Sequence, residues 1–552
     1  MTKEILETRL ISSLEKVFLD EELYASVWDK GSMLNNEVYS FQIAYRIHPE
    51  ASPDSLSCNL KIGTDGELAA AFSIRQVISI NSDLPCREDH DEYLLRTEPG
   101  LYPDLLKPVS DSLTAGKEWQ SVWITVNQDR KSLTPGQYSI PFVFVGADGK
   151  ELAVEIFNLT ILDCALPEQT LIHTMWFHTD CLATWYEDEI FSEEHWLRIG
   201  QFMKNAAAHG INMILTPIFT PPLDTQIGGE RPTVQLVDVV KKGEQYEFGF
   251  ERLKRWVALS QESGIRYFEF SHLFTQWGAK HAPKIIAEVD GEEKRIFGWD
   301  TDSTGPEYET FLDQFLPALV EFIHENKMDK VSYFHVSDEP SEEAIPYYEN
   351  ASRILSKHLK GFPIMDALSS YAFYEKGLVK KPIPASNHIE PFLENNVPGI
   401  WTYYCVGQWN KVSNRFFSMP SARNRILGIQ LYKFQIEGFL QWGYNFYYSQ
   451  YSIRPIDPFV VTDCGKAFPS GDPFVVYPGE DGPLDSLRFE VFYEALQDIR
   501  ALNRLEEQIG RDKVLVLLDE GLEQPITFSE YPRDAEWLLN KREQINSLLA
   551  FC

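Results

Sequence analysis

At 552 residues the chain is longer than one ordinary domain and suits roughly two to four, one of which can be a barrel of about 250 residues. A composition of 44% hydrophobic and 24% charged residues excludes disordered and collagen-like chains. Against 50 Lys and Arg stand 82 Asp and Glu, a net charge of -32, which argues against nucleic acid or an anionic membrane surface as a partner.

Residues 1–165 read as an all-β domain. Runs rich in β-branched and aromatic residues recur at Glu37–Ile47, Leu56–Ile62, Phe72–Ile80, Trp119–Val126, Tyr138–Val145 and Leu152–Ile161. Turn signals such as Thr134-Pro135-Gly136 and Gly146-Ala147-Asp148-Gly149 separate them, and strands of this length and spacing predict a β-sandwich. No charge cluster or metal pattern stands out in this part, which reads as structural or substrate-framing.

Asp163–Glu168 marks a boundary, and the pattern then alternates strand with helix over residues 166–552. The predicted strands are Leu171–Phe177, Ile211–Pro217, Ile265–Phe270, Lys330–Val336, Phe362–Ala367, Pro382–Asn387, Ile400–Cys405 and Gly438–Tyr448. The predicted helices include Glu193–His209, with Ser192 as its cap, Phe250–Gly264, Pro306–Lys327, Ser341–Lys360, Ser421–Ile436, Phe489–Ile509 and Trp537–Leu549. Eight strands in such an alternation predict a (β/α)8 TIM-type barrel behind the sandwich, a multidomain β plus α/β chain. A doubly wound sheet is the alternative, but no glycine-rich phosphate loop follows the first strand.

In a barrel the chemistry sits at the C-terminal ends of the strands. The fourth predicted strand runs into Ser337-Asp338-Glu339-Pro340. Two carboxylates close together push their pKa values apart, so that one stays an anion while the other holds a proton. That division suits a glycosidase. Asp-Glu-Pro also suits an ordinary helix N-terminus, where acids are favoured and proline is tolerated. Residues Trp401–Ile436, around the end of the seventh strand, contain no Asp or Glu, where about five are expected by chance from the composition. The usual place for a nucleophilic carboxylate therefore offers Tyr403, Tyr404 and Trp409 instead. Such an enzyme can take its nucleophile from the substrate, through a 2-acetamido oxygen, with the two adjacent acids serving the same sugar.

These pieces resemble glycoside hydrolase family 123, the β-N-acetylgalactosaminidases. The resemblance rests on Ser337–Pro340, on Ser271–Ala279 after the third strand, on Leu440–Asn445 at the last strand, and on Gly471-Asp472-Pro473 with Leu487–Glu490. It implies a retaining, substrate-assisted enzyme for β-linked N-acetylgalactosamine, in oligosaccharides or glycolipid-derived glycans. It also implies that Asp338 holds the acetamido N–H and that Glu339 is general acid and then base. It implies no metal or organic cofactor.

Around that pair the candidate sugar contacts are Trp277, Asn387, Tyr403, Gln441, Trp442 and Asn445. Tyr403 and Tyr404 have opposite parity, so one of them faces inward, and Tyr403 is the chosen one. Trp442 and Asn445 are three apart and do not share a face of a regular strand. Trp176 and His178 end the first strand, and either one or a packed interior layer fits there. Asp366 is expected to bind a sugar hydroxyl or pair with a local Arg, and Asp472 to serve a turn or to reach the sugar O4 or O6. Arg425 and Arg488 are expected to brace the barrel. The 12 His lack metal-site spacing, and no GxSxG elbow exists for a serine hydrolase. Seven scattered Cys read as reduced thiols, and an N-terminus without a signal-peptide core suggests a cytoplasmic protein. No stretch of about 20 apolar residues is present to span a bilayer. Rival readings are a double-displacement glycosidase, a carbohydrate-binding barrel without catalysis, and a scaffold whose aromatics are only core.

Overall fold

Period-2 alternation builds the first part of the chain. The computed structural model describes residues 5–110 and 112–550. One five-stranded sheet has the order Leu6–Ser12, Tyr39–Ile47, Gln120–Val126, Phe72–Ser82, Gly100–Pro108. The second has the order Lys30–Leu34, Glu151–Leu162, Gly136–Gly146, Leu56–Ile62, Leu113–Ala115. All ladders are antiparallel except the one joining Lys30–Leu34 to Asn158–Leu162. Phe41, Ile43, Val122 and Ile124 from one sheet meet Ile140, Phe142, Phe144 and Phe157 from the other. At the centre the rings of Phe41 and Phe157 stack with centroids 4.0 Å apart. The four strands Leu6–Ser12, Lys30–Leu34, Gly100–Pro108 and Leu113–Ala115 add to the six that the sequence suggests.

The first sheet is buried on both faces. Trp123, of opposite parity to Val122 and Ile124, joins the core of the second part of the chain together with Tyr102 and Leu106. Buried ion pairs fix this docking. Arg488 reaches Asp104 at 2.7 Å, and Arg75 reaches Asp485 at 2.7 Å and Glu490 at 2.5 Å. Near the C-terminus Arg542 lies between Glu37 and Asp498, at 2.7 and 2.8 Å. Arg425 pairs with Glu494 and Asp498, so Arg425 and Arg488 both brace the fold as their buried positions demand.

Eight parallel strands follow: Ile172–Met175, Met213–Thr216, Tyr267–Phe270, Ser332–Phe334, Met365–Leu368, Lys381–Pro384, Trp401–Tyr403 and Gly438–Gln441. Ladders join the first to the second, the second to the third, the third to the fourth, the fifth to the sixth, the seventh to the eighth, and the eighth back to the first. Single parallel bridges, Phe334 to Ile364 and Ala385 to Tyr403, supply the two remaining links. Side chains of one parity, among them Met213, Leu215, Met365, Ile383, Trp401 and Leu440, form a separate apolar cluster.

Helices Glu193–Ala208, Glu251–Glu262, Pro306–Glu325, Ile345–His358 and Leu487–Ile509 agree closely with the predicted ones. Ser192 caps the first of them by accepting from the His195 N–H. The expected helix Ser421–Ile436 divides at Ile426 into Ser421–Arg425 and Leu427–Lys433. Its second half lies so close to helix Leu487–Ile509 that a Cβ on Gly428 would come within 2.2 Å of the Ala495 carbonyl oxygen, so only glycine fits. The expected strand Gly438–Tyr448 stops at Gln441, and the chain continues as a long loop. Two hairpins, Asp238–Gly249 and Ile285–Phe297, form a further four-stranded sheet that the sequence does not reveal. Among the described residues no helix is long and apolar enough to cross a membrane.

Candidate active site

The fourth parallel strand ends at Phe334, and the next five residues turn into a cleft. Their backbone is held on both sides. The N–H groups of Val336 and Ser337 donate to Asp366 Oδ1 at 3.1 and 3.3 Å. The Ser337 hydroxyl donates to the Thr275 carbonyl at 2.8 Å, and the Trp277 N–H donates to the Asp338 carbonyl at 2.9 Å. Glu339 has φ +42°, a left-handed conformation that a non-glycine residue adopts only when its surroundings enforce it. Pro340 follows and prevents a regular continuation. The result is that Asp338 and Glu339 both line one cleft of about 180 Å³.

Burial, and next to it the neighbouring Glu339 charge, raises the Asp338 carboxyl well above its ordinary range, while the His335 cation opposes that rise. Glu339 is open to the cleft but otherwise walled by protein, and this burial raises its carboxyl as well. The Tyr403 hydroxyl donates to Glu339 Oε1 at 2.6 Å and pulls the other way. The pair is therefore suited to holding a proton near neutral pH.

Beneath the pair lies a chain of buried charges. His335 points one ring nitrogen at Glu269 Oε1, 2.6 Å away, and the other at Asp366 Oδ1, 3.2 Å away. Burial disfavours its charge, but the hydrogen bonds to Asp366 and Glu269 overcome that and raise it to about 10. Glu269 also accepts from Thr174 Oγ1 at 2.6 Å and Trp176 Nε1 at 2.8 Å, and the Tyr348 hydroxyl donates to Asp366. Asp366 thus pairs with a histidine and a tyrosine, correcting the expectation of a sugar hydroxyl or an arginine. Glu269 leaves a trace in the sequence, since it is an acid between two phenylalanines in a buried strand.

The predicted contacts separate into two groups. Trp277, Tyr403 and Trp442 line the cleft with Asp338 and Glu339, as does Trp176. Tyr404, of opposite parity to Tyr403, is buried outside the cleft and donates to Asn424. Gln441, Asn445 and Asn387 do not line the cleft. Gln441 is fully buried and supports the Asp472 loop, donating to the Asp472 carbonyl at 3.2 Å. Asn445 accepts from the His178 N–H at 2.8 Å and donates back to the His178 carbonyl. Asn387 is exposed and accepts from Gln408, which in turn accepts from the N–H of the cleft residue Cys405. Asp472 closes a turn, its N–H donating to the Pro469 carbonyl at 3.2 Å, and is buried without lining the cleft. It takes the Trp442 Nε1–H at 2.9 Å, and burial pushes its carboxyl up to about 7. Asp224, Gln276 and Tyr451 also line the cleft and escape a reading of the sequence.

Among the described residues two clusters have metal-binding side chains close together. In His272, His335 and Asp366 the two imidazoles stack at 4.3 Å with planes 25° apart. Lone pairs in nearly parallel planes that far apart cannot converge on one ion at about 2 Å. In His209, Asp485 and Glu490 the Arg75 guanidinium already occupies the cation position between the two carboxylates. The six described cysteines are free thiols, and Cys552 lies outside the described residues.

No curated protein sequence matches the chain. A solved family 123 glycoside hydrolase from Clostridium perfringens, studied for glycolipid glycan hydrolysis, has the same fold, with a TM-score of 0.74 over 99% of this chain and 98% of its own at 15% identity. Two other solved structures superpose weakly. The β-glucuronidase 3 of Bacteroides uniformis gives a TM-score of 0.29 at 11% identity over 89% of this chain and 51% of its own. A putative β-galactosidase from Bacteroides fragilis gives 0.32 at 8% identity over 83% and 58%. The family model for the glycoside hydrolase 123 catalytic domain matches residues 176–505, more than half of the sequence. The chain therefore belongs to glycoside hydrolase family 123.

Proposed function

We propose that the protein is a retaining glycosidase that removes β-linked N-acetylgalactosamine from oligosaccharides or glycolipid-derived glycans, with the substrate's own acetamido group as the nucleophile. We read the eight parallel strands as a (β/α)8 barrel behind a sandwich domain that ends near residue 165. In this reading the acetamido oxygen attacks C1 while Glu339 gives its proton to the departing glycosidic oxygen. Asp338 accepts a hydrogen bond from the acetamido N–H and stabilises the positive charge of the oxazolinium. Glu339, now an anion, takes a proton from water as that water attacks C1 and reopens the ring. Two inversions at C1 leave the configuration unchanged.

The observation that carries this reading is the placement of Asp338 and Glu339 side by side in one cleft, against the end of strand seven, which contributes Tyr403 and Cys405 and no acid. The seventh-strand carboxylate that a double displacement commonly uses is thus replaced by a tyrosine bonded to Glu339. One observation favours double displacement as a second reading: Asp224 is a third carboxylate in the same cleft. The test is hydrolysis of aryl β-N-acetylgalactosaminide set against aryl β-galactoside. Cleavage of the first alone supports substrate assistance. Comparable cleavage of both supports a protein nucleophile, for which Asp224 is the candidate.

A further inference from the structure

One wall of the cleft is built from three loops and holds two polar groups that the proposed reaction does not use. Asp224 follows the second parallel strand, Gln276 and Trp277 follow the third, and Tyr451 follows the eighth. The Gln276 side-chain oxygen accepts from the Asp224 N–H at 2.7 Å, and the Tyr451 N–H donates to Asp224 Oδ2 at 3.0 Å. The Ser452 hydroxyl donates to the Asp224 carbonyl at 2.7 Å. Asp224, Trp277 and Tyr451 all have left-handed backbones, with φ of +39°, +60° and +60°. Three strained non-glycine residues on one wall mark a place where the surrounding fold enforces position.

The polar atoms left over are complementary. A backbone N–H can only donate, so the atom of Gln276 that meets Asp224 is the oxygen, and the amide nitrogen is the free end. That nitrogen is buried and has no partner, although the residue is only 6% exposed and lines the cleft. A buried donor without an acceptor is costly, and a ligand oxygen removes the cost. Asp224 Oδ1 accepts no hydrogen bond from any described residue. Burial pushes this carboxyl up to about 6, which leaves it an acceptor anion at neutral pH.

We infer that Asp224 and Gln276 are specificity-determining residues that together bind a hydroxyl of the sugar whose C1 reacts, with Gln276 donating to the hydroxyl oxygen and Asp224 accepting a hydrogen bond from its O–H. A hydroxyl both donates and accepts, which matches one donor and one acceptor on two hydrogen-bonded residues of one wall, whereas an acetamide oxygen only accepts and its N–H only donates. The backbone bond from Trp277 to Asp338 ties this wall to the catalytic pair, so the recognised hydroxyl belongs to the reacting sugar and not to a distant residue of the glycan. The inference rests on the glycosidase reading above. Exposed Trp277 and Tyr451, ring centroids 5.8 Å apart and edge to face, close the wall at the cleft mouth.

The test uses 4-methylumbelliferyl β-N-acetylgalactosaminide and its 3-, 4- and 6-deoxy analogues with the full chain and the variants Asp224→Asn and Gln276→Met. Each variant is expected to lose about tenfold to a hundredfold in kcat/KM on the complete sugar, the range for a hydrogen bond involving a charged group. For one deoxy analogue the wild type should lose as much, and the variants should lose nothing further. Gln276→Glu keeps the oxygen that holds the Asp224 N–H, removes the donor and adds a charge beside Asp224, so it replaces Gln276→Met if that variant melts early, with the loss read on the deoxy analogues rather than on the complete sugar alone. Losses that multiply for all three deoxy analogues would overturn the inference while leaving the glycosidase reading intact. Wild-type protein that neither cleaves the complete sugar nor binds its thiazoline analogue would overturn both.

Discussion

The hydroxyl of Tyr403 lies 2.6 Å from Oε1 of Glu339 and ties the end of the seventh parallel strand to the turn after the fourth. A hydrogen bond donated to a carboxylate favours its ionised form. Tyr403→Phe should therefore raise the Glu339 pKa further. A general acid works protonated, so the alkaline limb of the pH profile of kcat/KM should move to higher pH. An unmoved limb would show that Glu339 is not the acid.

The two acids should respond differently to the leaving group. Glu339→Gln removes proton donation, commonly about a hundredfold to ten-thousandfold in rate. Its deficit should be small for a 2,4-dinitrophenyl leaving group, which departs without a proton, and large for a sugar. Asp338→Asn should slow both alike, because the charge it stabilises forms on the acetamido side. Rates for the two leaving groups, measured on each variant, separate the roles.

His335 is fully buried between Glu269 and Asp366, and its substitution leaves two buried carboxylates without their cation. His335→Gln should cost about 3–5 kcal/mol in chemical denaturation, as for other broken buried pairs. Because the fold raises this histidine from 6.5 to about 10, its stabilisation is complete below pH 6.5 and fades as pH climbs towards 10. The His335 charge also lowers the Asp338 pKa. Its removal should shift the acid limb of the pH profile upward, which a purely structural role would not do.

Arg488 joins helix Leu487–Ile509 to the sandwich through Asp104, which also accepts from the Tyr477 hydroxyl at 2.5 Å. Arg488→Met should destabilise the protein by about 3–5 kcal/mol by stranding Asp104. Arg488→Met combined with Asp104→Leu should recover part of that loss. Recovery should be incomplete, because Arg488 also donates to the carbonyls of Gly471 and Phe474 on either side of Asp472. Urea midpoints of the single and double variants test this.

The legible part of the site is the part that is contiguous in sequence. Asp338 and Glu339 are neighbours at a predicted strand end, and parity alone separates Tyr403 from Tyr404. Parity also forces a choice between Trp442 and Asn445, and the fold resolves it: Trp442 enters the cleft while Asn445 clamps the His178 backbone. Asp224 and Gln276 are 52 residues apart and meet only through tertiary folding, so neither loop advertises the contact. The strand Gly100–Pro108 escapes prediction for a different reason. It contains Pro103 and Pro108, which argue against a strand until it is seen to lie at a sheet edge. In the same sheet, strand Gln120–Val126 is buried on both faces because a second core covers its outer face.

The central claim is that the substrate's acetamide replaces a protein nucleophile, and the most direct measurement compares aryl β-N-acetylgalactosaminide, β-N-acetylglucosaminide and β-galactoside under identical conditions. The account predicts cleavage of the N-acetylgalactosaminide with retained configuration and no detectable cleavage of the galactoside. Comparable rates on the galactoside would contradict it and return the nucleophile to the protein.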